Sequence, residues 1–161
     1  MVVINAKRKQ EWFNTGQLND FLEPRDDEFV ALAEKAFDLQ NQNKWEEAMK
    51  LWSELRKKRK NKEWPDFFIA MGETRLGQFA KAEKTFDRLI KTAKDEATVF
   101  DSYKMRAEIQ LDYHDDLGNA FKDINIAIKL MKKYRQPESV KEQLKEAVDL
   151  REEILDAISK R

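Results

Sequence analysis

No cysteine occurs among the 161 residues, which excludes disulfides and thiolate metal sites and fits a reducing compartment. A single histidine is present, and no Gly-rich phosphate loop or nucleophile-beside-base motif accompanies it. Four glycines and three prolines leave little room for loops. Net charge is also lacking: 31 basic groups balance 31 acidic ones, which argues against bulk electrostatic binding of nucleic acid or membrane. No stretch approaches the roughly 20 apolar residues of a membrane span, and no apolar run of secretory length follows Lys7, Arg8 and Lys9. The expectation is a soluble, cytoplasmic protein, not an enzyme, with no cofactor and no metal.

What is present is charge and apolar spacing. The chain is 39% charged and 41% apolar, a balance that implies one nearly all-helical domain with much solvated surface. Residues 1–9 begin apolar and turn basic, as an arm does. Trp12, Phe13, Leu18, Phe21 and Leu22 predict a short helix over 10–22, ended by Glu23-Pro24. Asp26-Asp27 is placed to cap a helix over 27–41, and its partner runs over 44–58 after the turn Gln40–Asn43. Trp64-Pro65 begins the next helix, which ends at Gly77, a residue suited to follow a helix C-terminus. Helices over 79–93, 96–112 (capped by Asp95), 117–133 and 138–159 follow, the last with a charged face opposite its apolar one.

A repeat organises these helices. Trp45, Ala48 and Trp52 return 34 positions later as Phe79, Ala82 and Phe86, and 38 positions after that as Leu117, Ala120 and Ile124. A fixed period in this range marks stacked helical units. Ala36, Ala70 and Ala107 are the small residues midway along the first helix of each pair. Small residues let two helices approach closely, and large ones fill the gap to the next pair.

On these residues the stretch 29–133 resembles the tetratricopeptide repeat family. It departs from that family in lacking the first-helix tryptophan and the closing proline, and in the longer third spacing. The resemblance implies an all-α, right-handed superhelix of three helix pairs with N- and C-terminal flanking helices. The implied parts are an N-terminal arm and short helix over 1–26, repeats at about 27–60, 63–94 and 96–134, and a capping helix over 135–161. The layout, with Phe67-Phe68-Ile69-Ala70-Met71-Gly72 leading to Leu76-Gly77-Gln78-Phe79, is also similar to the class II chaperones of type III secretion.

The family lines its concave groove with the first helix of each pair. Carried over, the groove holds Val30, Ala33, Phe37, Phe67, Met71, Arg75, Lys104 and Glu108. The expected partner-binding set is Ala33, Phe37, Phe67, Met71, Arg75 and Lys104, suited to a protein or peptide with apolar anchors. The subtype that clamps a partner's terminal carboxylate needs Lys and Asn where this chain has Ala33, Phe37 and Phe68, so that activity is not implied. The alternative occupant of the groove is the chain's own segment bearing Trp12, Phe13 and Phe21.

Arg56, Lys57, Lys58, Arg59, Lys60 and Lys62 form a basic run with two readings. One is the solvated C-terminal end of a helix, where cations complement the dipole. The other is an anion- or nucleic-acid-binding patch, with Trp64 nearby to stack a base. His114 with Asp112, Asp115 and Asp116 is a candidate metal cluster, but its spacing matches no recognised loop. The amphipathic terminal helix has a further candidate role as a homodimer contact. The expected function is protein–protein interaction, as scaffold, adaptor or small chaperone.

Overall fold

The computed structural model of the chain describes residues 27–60 and 62–161. The expected N-terminal arm, the 10–22 helix and the Asp26 cap lie outside the described residues. Among the described residues there are seven α-helices and no strand: α1 Asp27–Asn41, α2 Trp45–Lys57, α3 Glu63–Arg75, α4 Phe79–Thr92, α5 Glu96–Asp112, α6 Leu117–Lys132 and α7 Lys141–Ser159. The last expected helix differs at its start. Pro137–Val140 forms a 3-10 turn before α7, because proline fixes φ yet cannot donate to a preceding carbonyl.

These residues form two compact units, one ending at Leu76 and the other Gly77–Arg161. The boundary falls inside the 63–94 span.

In the first unit α2 packs against both α1 and α3. The core is aromatic. Phe37 meets Trp52 and Phe68 edge-on, with centroids 4.9 and 5.0 Å away, and Trp52 stacks on Phe68 at 4.7 Å. Such offset and edge-to-face pairs match the ring quadrupoles and add to the burial energy. The buried indole N–H of Trp52 donates to the Gln40 side-chain carbonyl, so a polar tip enters the core satisfied. Gly72 lets α3 approach α2: a Cβ there would stand 2.5 Å from Met49 Cγ.

In the second unit successive helices pack in order, with the 3-10 turn against α6 and α7. Phe100, Ala107, Ala120, Ile124, Ala127, Ile128, Met131, Ala147 and Ile154 share one core. Asp95 caps α5, accepting from the Thr98 amide at 2.9 Å, and Asp116 caps α6, accepting from the Asn119 amide at 3.1 Å. Each cap satisfies an amide that has no partner within its helix.

The turns before α2, α4 and α6 share one conformation. Asn43, Gly77 and Asp115 adopt left-handed φ values of 63°, 79° and 53°. The following residues Lys44, Gln78 and Asp116 then take ψ of 67°, 56° and 78° before the helix starts. Glycine, asparagine and aspartate are the residue types that tolerate the left-handed region. Each stands five positions before an alanine, Ala48, Ala82 or Ala120, that is fully buried.

Candidate functional site

Ala33 and Phe37 lie on α1 and are fully buried, while Phe67 and Met71 lie on α3 with 4% and 3% of their surface exposed. Phe67 stands edge-on to Phe68 at 5.3 Å, and Phe37 joins the Trp52–Phe68 cluster. Arg75 is half-buried at the end of α3. An open groove needs these side chains on a solvent-facing surface, and the structure places four of them in the interior. The reason lies in α3. Its buried residues run almost continuously from Pro65 to Thr74. A helix with one dry face and one wet face shows a gap every third or fourth position instead.

Lys104, on α5 in the second unit, is 5% exposed, and its ammonium lies 2.7 Å from Glu146 Oε2 on α7. A buried ammonium needs such a partner. Lys104 is thus engaged within its own unit, in a tie between α5 and α7. Whether Trp12, Phe13 and Phe21 cover the first-helix face concerns residues outside those described.

The basic run divides. The Arg56 side chain donates to Asp66, whose carboxylate is 8% exposed, across the α2–α3 connection. Lys58 Nζ lies 2.9 Å from Glu28 Oε1 at the start of α1. The Arg59 guanidinium lies over the Phe29 ring, 3.8 Å from its centroid. Lys57, Lys60 and Lys62 are exposed. Half of the run therefore fastens the α2–α3 connection to α1 and α3. Arg56 and Lys57 lie in the last turn of α2, the end at which cations complement the helix dipole.

Around His114 the acidic residues are engaged separately. His114 Nε2 lies 2.8 Å from Glu83 Oε2 on α4, Arg161 pairs with Asp115, and Asp116 caps α6. No group of three or more His, Cys, Asp or Glu side chains is positioned for a metal among the described residues. The Tyr113 ring, 56% exposed, stacks on Phe79 at 4.5 Å. On α7, Ala147 and Ile154 face inward while Leu155 and Ile158 are exposed.

One charged cluster carries no signal in the sequence. Arg106 on α5 donates Nε to Asp123 Oδ2 at 2.6 Å and Nη2 to Asp123 Oδ1 at 2.8 Å, both on α6. Its Nη1 reaches Asp87 Oδ1 on α4 at 2.9 Å. These hydrogen bonds, that to Asp123 foremost, raise the Arg106 pKa above its ordinary value against the opposing effect of burial. In a chain this rich in charge, nothing local distinguishes these three from the solvated majority.

No described helix is long and apolar enough to cross a membrane. No family model matches the chain, and no curated protein or solved structure matches it significantly.

Proposed function

We propose that the chain is a non-enzymatic protein–protein interaction module, a scaffold, adaptor or small chaperone, built from tetratricopeptide-like helix pairs in a right-handed superhelix. The observation that carries this reading is the recurrence of one structural unit. A left-handed residue, a large residue at the helix start, a buried alanine and a second buried large residue return at Asn43–Trp52, Gly77–Phe86 and Asp115–Ile124. A helix pair of this size cannot bury its apolar surface alone, so it stacks on others and leaves extended faces for partners.

Ala33, Phe37, Phe67, Met71 and Lys104 then act as packing that shapes the module. A partner meets the exposed positions of α1 instead, Glu34, Lys35 and Asp38 among them.

The test is capture of partners from native extract on the full chain, washed at low and at high salt, followed by hydrogen exchange on the complex. A protein retained at high salt, with protection on α1, is the expected result. Recovery of nucleic acid alone, released as salt rises, or of no protein at all, would overturn the reading.

A further inference from the structure

Arg59 stands apart from the rest of the basic run. It is 9% exposed, whereas Lys57, Lys58, Lys60 and Lys62 are all exposed. Its guanidinium carbon lies 3.8 Å from the Phe29 ring centroid. Phe29 in turn lies 5.7 Å from Trp64, the rings tilted by 33°. The guanidinium thus rests against an aromatic shelf built from the start of α1 and the start of α3. Its Nη2 is closed off from solvent and has no hydrogen-bond partner among the described residues. The charges beside it are already engaged, Arg56 with Asp66 and Lys58 with Glu28.

A buried guanidinium nitrogen without a hydrogen-bond partner is costly, because its N–H groups lose water and gain nothing in return. Cation–π attraction to Phe29 offsets part of that cost. It engages the flat face of the group and leaves Nη2, one of the in-plane N–H donors, without a partner. Those donors form the fork that matches the two oxygens of a carboxylate or phosphate. A ring that fixes the plane of the fork also lowers the entropy lost when an anion binds.

We propose that Arg59, held against Phe29, anchors a site for a single oxyanion, carboxylate or phosphate, taken from solution. The exposed Lys57 and Lys62 add long-range attraction but no geometry. The site is independent of the interaction reading above: an anion can bind here whether or not a protein partner exists.

The experiment uses the full chain and two probes, inorganic phosphate and acetate, each replacing chloride at constant ionic strength and neutral pH. The Nε–Hε resonance of Arg59, assigned through Arg59→Lys, is followed by NMR, and the melting temperature is read in parallel. The expected result is a saturable movement of that resonance and a rise in melting temperature of about 3 °C at a tenfold excess over Kd. Arg59→Lys keeps the charge and loses the fork, so it weakens the response at least tenfold. Lys57→Gln leaves the response within twofold. Stronger binding of acetate identifies a carboxylate site, and stronger binding of phosphate a phosphate site. An Arg59 resonance indifferent to both anions, or an equal thermal response in Arg59→Lys, overturns the proposal. The resonance is read on the unmutated chain, so the outcome is decisive even if a variant folds poorly.

Discussion

Arg106 and Asp123 join α5 to α6 through two parallel hydrogen bonds, 2.6 and 2.8 Å long, with the Asp123 side chain only 4% exposed. Arg106 also reaches Asp87, which is half exposed. The two carboxylates differ in value because solvent screens one and not the other. Arg106→Met strands Asp123 in the interior and is expected to destabilise the chain by about 3 kcal/mol in urea unfolding. Asp87→Ala is expected to cost less than about 1 kcal/mol. Arg106→Met with Asp123→Leu should recover much of the loss, because the pair then leaves no buried charge behind. Equal costs for Asp87→Ala and Arg106→Met would contradict this ranking.

Phe67→Ala and Met71→Ala test whether these positions are packing or open groove. With 4% and 3% exposure, each is expected to lose about 3 kcal/mol through lost burial and the cavity left behind. Groove side chains open to water would change stability by no more than about 0.5 kcal/mol. Chemical denaturation of the two variants separates these outcomes.

Gly72 and Met49 are coupled by proximity. A Cβ at position 72 would come within 2.5 Å of Met49 Cγ and 2.6 Å of its sulfur. Gly72→Ala alone sets a helix-propensity gain of about 1 kcal/mol against displacement of Met49. In a Met49→Ala background the clash is gone, and Gly72→Ala is expected to stabilise by up to about 1 kcal/mol relative to that background. A thermodynamic cycle over the four proteins that shows simple additivity would rule out the close approach.

Asp116 gives a pH signature. Its carboxylate accepts from the Asn119 side chain at 2.6 Å and from the Asn119 amide at 3.1 Å. These bonds, the side-chain one first, hold its pKa below the usual aspartate value. A carboxylate whose pKa is depressed on folding contributes stability above its unfolded pKa and loses it as pH falls through the lower folded value. The Asn119 amide resonance is therefore expected to titrate with a midpoint below the ordinary aspartate range. Asp116→Asn keeps a capping oxygen and should abolish that titration. A midpoint at or above the ordinary value would mean the cap is not formed in solution.

Much of the helical layout was legible because its signals are local. The expected 27–41 and 96–112 match α1 and α5 at both ends, and the other five helices agree to within a few residues. Apolar spacing, the Asp95 cap and the Gly77 terminator each act within one turn of the chain. The groove was harder to read. Phe67 and Met71 lie on an apolar stretch as expected, but spacing does not say how many neighbours cover it. Arg106, Asp123 and Arg59 were indistinguishable from surface charge, since their burial depends on residues distant in the chain.

The helices, their turns and the 34- and 38-residue recurrence of the alanines that end up buried were set by the order of residues alone. These follow from backbone geometry and from the side-chain period of a helix, which are properties of short segments. Which faces are closed and which groups each charge meets came from packing in three dimensions: Lys104 with Glu146, Arg106 with Asp123, Arg59 with Phe29. Desolvation of a charge or an aromatic ring depends on every element packed around it, and a one-dimensional pattern does not carry that information.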